Sequence, residues 1–290
     1  MTKHQAAADG ILRIAAFSDG FEGGNPAGVW LGSALPPADE MQRMAHAVGF
    51  SETAFAAPAG EAGEEGGGWR VRYFSPASEV PFCGHATIAL GAALAGAHGD
   101  GVFALTLNQA AITVEGRREA SGLVSAALQS PPTFSRPADP ALVTAALALF
   151  GYGEDDLDPR IPPGFAHAGA NHLVLALDRR EWLAAMRYDL EAGRALMAAH
   201  GLTTIVLAWA EGPQLFHTRN PFAIGGVYED PATGAGTAAL AGYLRDIGWP
   251  HGGAIDVVQG EDMGMRSRLH AAIGAAAGGS IRVSGTARFM

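Results

Sequence analysis

EVPFCGHATIALGAAL, Glu79 to Leu94, and EDPATGAGTAALAGYL, Glu229 to Leu244, are two versions of one segment set 150 residues apart. Glu79 meets Glu229, Pro81 meets Pro231, Gly84 meets Gly234 and Thr87 meets Thr237. Ala89, Leu90 and Leu94 meet Ala239, Leu240 and Leu244, but in an alanine-rich chain the glutamate, proline, glycine and threonine carry the comparison. Weaker echoes lie upstream in the same order. GNPAGVWL from Gly24 matches GANHLVLAL from Gly169, and GFSETAF from Gly49 matches GLTTIVL from Gly201. Three ordered echoes whose offsets drift by only a few residues predict two pseudo-equivalent domains. The Pro-rich SPPTFSRPADP, Ser130 to Pro140, is the expected connection between them.

Composition fits that division. The chain has 290 residues, 48% of them hydrophobic and 17% charged, enough for one large or two medium domains with substantial cores. A formal charge of -10 argues against a nucleic-acid or anionic-membrane partner, both of which need a positive field. A small anion needs only a few local donors and stays possible. Cys83 is the single cysteine, which excludes an intrachain disulfide and any mechanism with two thiols from one chain. The opening MTKHQAAADG has no apolar stretch, and no uninterrupted apolar run reaches the length of a membrane span. A soluble cytoplasmic protein is the expectation.

Each half reads as strand-rich with one dominant helix. ILRIAAF, AGVWL, SETAFAA, WRVRYF, FALTL and ITVEG have strand character, whereas ATIALGAALAG and the run ending in AHAVG read as helices. The helix over Thr87–Ala97 is apolar nearly all round, so it belongs inside a core. Small residues surround both helix starts, Cys83-Gly84-His85-Ala86 and Thr233-Gly234-Ala235-Gly236. Two such N-termini facing one cleft would offer backbone N–H groups to a carboxylate or to developing negative charge. Tight packing is the other use of such glycines.

Four side chains stand out as candidates for chemistry. Glu52 lies among small and apolar neighbours, where a partly buried carboxylate suits proton transfer; a solvated strand end is the alternative. His85 falls in the first turn of a helix, where it either meets a substrate or serves as a hydrogen-bonded structural group. Asp230, followed by Pro231, is equally a natural helix-start pair. Cys83 is read as a small packed residue before a nucleophile. No HExxH or paired-cysteine spacing appears, so no metal is expected, and dinucleotide and P-loop motifs are missing. The Gly-rich EAGEEGGGW, Glu61 to Trp69, reads as a hairpin tip.

The segments FEGGNPAGV, GFSETAF, RYFSPASEVPFCGHATIALGAAL, YEDPATGAGTAAL, VVQGEDMG and IRVSGTARF resemble, in order, the motifs of the PhzF-like family of phenazine-biosynthesis isomerases. The resemblance runs from about Ile14 to Phe289. It implies an α/β (α+β) architecture, the diaminopimelate-epimerase-like fold, with two pseudo-symmetric domains. Each would have a curved, mostly antiparallel sheet around a central helix, in a homodimer. A C-terminal strand returning to the first domain would give domains of residues 1–129 with 275–290, and 130–274, with the active site in the cleft between them.

The resemblance also implies a cofactor-free isomerisation by proton shift on a small carboxylate-bearing substrate, as in the family's dihydro-hydroxyanthranilic acid reaction. Glu52 matches the acid/base, and His85 and Asp230 match the family's histidine and aspartate. Asn25, Cys83, Gly84, Thr233, Gly234, Ala235 and Gly236 would surround the substrate. Related epimerases use two cysteines; here Thr233 stands where the second would be, which argues against a two-thiol racemase. Ala235 replaces a common family serine, and Gly264-Met265-Arg266-Ser267 replaces the usual GRPS. An amino-acid epimerase or dehydratase, and a non-catalytic small-anion binding protein of the same fold, are the rival readings.

Overall fold

The computed structural model describes residues 10–60 and 68–290. Most of the Gly-rich segment expected as a hairpin tip, residues 61–67, lies outside them. The fold is mixed α+β, as expected, and the chain divides into two compact units. Residues Met1–Gln129 and Ser284–Met290 belong to the first, and Ser130–Val283 to the second.

The first unit runs β1 (Ile11–Ser18), β2 (Asn25–Leu31), α1 (Ala38–Val48), β3 (Thr53–Pro58), β4 (Trp69–Phe74), β5 (Glu79–Val80), α2 (Gly84–His98), β6 (Gly101–Thr106), β7 (Ala111–Arg118) and β8 (Val124–Gln129). The rest of the chain follows as β9 (Phe134–Pro137), α3 (Pro140–Phe150), β10 (Gly164–His167), β11 (Asn171–Leu177), α4 (Arg180–Ala184), α5 (Leu190–His200), β12 (Thr204–Ala210), β13 (Leu215–Phe222), β14 (Val227–Asp230), α6 (Gly234–Asp246), β15 (Ala254–Gln259), β16 (Ser267–Ile273) and β17 (Ile281–Phe289).

Taken separately, the two units repeat one topology. In the first, β2 and β3 are parallel, with Gly28 opposite Thr53, and α1 supplies the crossover that a parallel pair requires. In the second, β11 and β12 are parallel, with His172 opposite Thr204, and α4 and α5 make the crossover. An antiparallel strand follows in each, β4 or β13, and then a short one, β5 or β14, that leads into the long helix. After the helix, β6 returns parallel to β4 and β15 parallel to β13.

The long helices occupy the cores, as their all-round apolar composition requires. α2 packs on β1, β2, β3, β6, β7 and β8, and every residue from His85 to Ala95 is buried. α6 packs on β9 to β12, β15 and β16. Ile88, Leu90 and Leu94 are fully buried, and each contributes about 1.5–3 kcal/mol by leaving water. The helix lies so close to β7 that a Cβ on Gly116 would stand 2.3 Å from the Gly91 carbonyl oxygen, so only glycine fits there.

Two expectations about connections need correction. The Pro-rich stretch is not a plain linker, because Phe134–Pro137 pairs antiparallel with β10, Phe134 opposite His167 and Pro137 opposite Gly164. The handover to the first unit comes at residue 284 rather than 275. The intervening residues are tied to the second unit. The Ser130 and Thr133 amides donate to the Ile281 and Gly278 carbonyls, and Arg245 donates to the Gly279 carbonyl at 3.1 Å. Beyond Ser284, β17 pairs antiparallel with β1, Ile14 opposite Phe289, through a bulge at Phe17.

Candidate active site

α2 begins at Gly84, with Cys83 extended at its N-cap. Cys83 makes no side-chain cap; its Sγ lies 3.3 Å from Nδ1 of His85. The first turn is instead held by Thr87, whose hydroxyl donates to the Cys83 carbonyl at 2.7 Å and meets the buried Tyr73 hydroxyl at 2.7 Å. His85 is thereby fixed in a buried position, only 6% exposed.

Its other ring nitrogen, Nε2, lies 3.5 Å from Glu52 Oε2 and 3.3 Å from the Ser51 hydroxyl. Glu52 stands just before β3 rather than within it, because Thr53 to Ala57 take the positions buried on both faces. A carboxylate at the strand mouth escapes the full cost of burial; its side chain is 14% exposed. Glu52, Cys83 and His85 thus form one cluster, with ligand-type atoms all within 4.8 Å of one another. Sequence spacing could not show this trio, since Glu52 comes from a different element. Asn25, also a candidate, opens β2 opposite Ala16 and is 2% exposed.

In the second unit, α6 begins at Gly234 with Thr233 at its N-cap, again without a side-chain cap. Asp230 is therefore not the helix cap that the Asp-Pro pair suggests, because the helix starts later and Asp230 ends β14. Its Oδ2 accepts a 2.6 Å hydrogen bond from the Thr233 hydroxyl, so Thr233 spends its side chain on Asp230 instead of on the helix amides. Gln259, fully buried, locks this loop. Its Nε2 donates to the Asp230 carbonyl at 2.6 Å and to Thr233 Oγ1 at 2.9 Å, while its Oε1 accepts from the Thr233 amide at 3.0 Å.

The glycines divide between the two uses considered above. A Cβ on Gly236 would stand 2.6 Å from Asn220 Nδ2, so close packing accounts for it. Gly84 and Gly234 open their helices, and Ala235 is half-buried in the first turn of α6. Neither N-cap side chain satisfies the first-turn amides, which remains compatible with anion binding.

Three supporting residues escape sequence reasoning. Ser51 and Gln259 sit inside recognised segments, but nothing in the sequence names their partners. Arg219 is the third: its Nε donates to Glu229 at 2.9 Å, in a pair almost wholly buried. Its counterpart in the first unit is Arg72, which donates to Glu79 at 2.7 and 2.6 Å. The repeated glutamates are thus repeated ion pairs. Arg72 holds the Glu79 carboxyl below the usual carboxylate range, chiefly through those hydrogen bonds.

Residues 14–290 match the family described as phenazine biosynthesis-like protein, PhzC-PhzF. The chain belongs to that family. Trans-2,3-dihydro-3-hydroxyanthranilate isomerase of Pseudomonas aeruginosa is 29% identical to this PhzF-family chain over 250 residues, covering 86% of this chain and 84% of that protein. A Bacillus anthracis phenazine biosynthesis protein of the PhzF family shares its fold, with a TM-score of 0.81 at 21% identity over 97% of this chain and 96% of that one. A probable proline racemase from Agrobacterium radiobacter shares it more distantly, with a TM-score of 0.61 at 12% identity over 97% and 90% of the two chains. Family and relatives together make the chain a PhzF-type isomerase. Among the described residues, no helix is long and apolar enough to cross a membrane.

Proposed function

We propose that the chain moves a proton between two carbons of a small carboxylate-bearing substrate without a cofactor, with Glu52 as the acid/base. The observation that carries the reading is Glu52 Oε2 at 3.5 Å from Nε2 of His85, half-buried at the mouth of a strand. The Glu52 carboxylate takes the proton as the substrate's C–H bond breaks, and the electron pair moves into the substrate's π system. Glu52 then returns the proton to a second carbon, which restores the starting carboxylate. His85 orients Glu52 and steadies its charge. Asp230, held by Thr233 and Gln259, is suited to binding a polar group of a small substrate, as are the first-turn amides of each long helix. Asn25 contributes to that binding. With Ala235, the protein lacks a hydroxyl there, so the substrate needs no donor at that point. The protein works as a cytoplasmic homodimer.

The named activity of the Pseudomonas relative supports a dihydro-hydroxyanthranilate as the first substrate to try. Small carboxylic acids incubated with the protein in heavy water should include one that gains carbon-bound deuterium. Tight binding of such acids with no deuterium uptake by any of them would replace the isomerisation with a binding role.

A further inference from the structure

The segment that ends β15 carries Gln259, and a cluster of charges follows it. Glu261 opens a single 3-10 turn, Glu261–Met263, between two glycines in the left-handed region, Gly260 at φ 72° and Gly264 at φ 76°. We propose that Glu261 is a positioning residue for Asp230, acting through Gln259, and so sets the grip of the protein on its substrate. That last step rests on the reading of Asp230 as a group that binds the substrate.

Glu261 Oε2 accepts from Nη2 of Arg180 at 2.9 Å and lies 3.1 Å from Nδ1 of His217, while Oε1 lies 3.4 Å from Nη1 of Arg266. Arg180 comes from α4 and His217 from β13, so this carboxylate pins the loop to both. Burial works to raise the Glu261 carboxyl, but hydrogen bonds from Arg180 and His217 outweigh it and hold the group below the usual carboxylate range. Asp262 gives Arg180 a second acceptor at 2.9 Å, and Glu211 meets the other ring nitrogen of His217 at 2.8 Å. The backbone just before Glu261 has no slack. A Cβ on Gly260 would stand 2.5 Å from the Met265 carbonyl oxygen and 2.7 Å from that of Pro231, so the loop lies against the residue that follows Asp230. One residue further back, Gln259 makes its bonds to Asp230 and Thr233. Arg219 braces the other side: its Nη1 donates to the Ala184 carbonyl of α4 at 3.0 Å, and its Nε holds Glu229, the neighbour of Asp230.

The test compares amide exchange and kinetics of the full chain in wild type and Glu261→Gln, which keeps the shape and removes the charge. The Thr233 amide, bonded to Gln259 Oε1, should exchange about 10-fold faster in the variant, the low end of what a hydrogen bond to a charged group contributes. Amides in β11 and α2 should keep their wild-type rates. With the dihydro-hydroxyanthranilate, KM should rise about 10-fold while kcat holds, and adding the substitution to Asp230→Asn should raise KM no further. Exchange alone decides if that acid is not turned over. Should Glu261→Gln fail to fold, Arg180→Gln removes one partner of the same carboxylate and is read in the same way. An unchanged Thr233 rate, or an increase shared equally by β11 and α2, would overturn the positioning role. So would a KM increase that adds fully to that of Asp230→Asn. Faster Thr233 exchange with KM unchanged would leave the positioning standing and remove Asp230 as a substrate-binding group.

Discussion

The first unit places an acid, an imidazole and a thiol where the second places none of the three. Glu52 corresponds to Thr204, Cys83 to Thr233 and His85 to Ala235, although the strand order and helix starts around them are the same. Thr204 bonds the buried His172 at 2.8 Å, an arrangement that packs and does not titrate near neutral pH. The ion pairs differ in the opposite sense. Arg219–Glu229 is 8% and 3% exposed, but Arg72–Glu79 is 23% and 28% exposed. Duplication preserved the frame in both units, while ionisable side chains gathered at the helix start of one and inside the wall of the other.

The contrast breaks most readily at Glu52. Glu52→Gln should lower turnover by about 100- to 10,000-fold with little change in melting temperature, because the amide keeps the shape but cannot carry the proton. Thr204→Val, at the matching position, should do the reverse, lowering stability with turnover kept. Steady-state kinetics and thermal melts on both variants decide it, and equal turnover in Glu52→Gln and wild type would shift the proton chemistry to His85 or Asp230.

The ion pairs give the next largest difference. Glu229→Gln strands a buried guanidinium and should cost about 3–5 kcal/mol. Glu79→Gln, in the more exposed pair, should cost about 0–1 kcal/mol. Urea unfolding measures both, and similar losses would mean that burial does not distinguish the pairs.

Acid should act on the two units in separate pH windows. Burial, with a smaller push from His167, lowers the His172 pKa to about 3. The unfolded chain, with a histidine pKa of about 6.5, therefore takes up a proton first as the pH falls. The stability tied to neutral His172 is full above about 6.5 and drains away towards about 3. Glu79 has its folded pKa lowered from 4.5, so its contribution is lost only below that value. Unfolding free energies between pH 7 and 5 should fall less steeply in His172→Gln than in wild type, and identical slopes would remove His172 as the cause.

Cys83→Ser is expected to have the smallest effect on catalysis, well short of the loss in Glu52→Gln. Parallel assays of the two variants measure it, and comparable losses would place the thiol in the proton relay.

Much of this frame was legible in the sequence. The repeat located both long helices, because glycine and proline at fixed offsets mark the turn before a helix whatever the surroundings. Glu79 and Glu229 were visible as a match, but their arginines were not. Arg72 precedes Glu79 by 7 residues and Arg219 precedes Glu229 by 10, so a fixed offset loses the partners. Gln259 was hidden for a related reason, since it reaches the Asp230 loop from 29 residues downstream. The turnover from second to first unit at Ser284 was set by hydrogen bonds to Ser130 and Thr133, which no local pattern announces.

The pairing of β17 with β1 sets a timetable for synthesis. One edge of β1 meets β2 almost at once, but its pairing with β17 waits for residues 286–289, which are made more than 250 residues later. At roughly 5–20 residues per second, that pairing waits for tens of seconds. An unpaired strand edge is a template for pairing with another chain, so the nascent protein passes through its most aggregation-prone interval with most of its sequence already made. Slower translation of the second half would lengthen the interval, and a chaperone that shields β1 would be most useful within it.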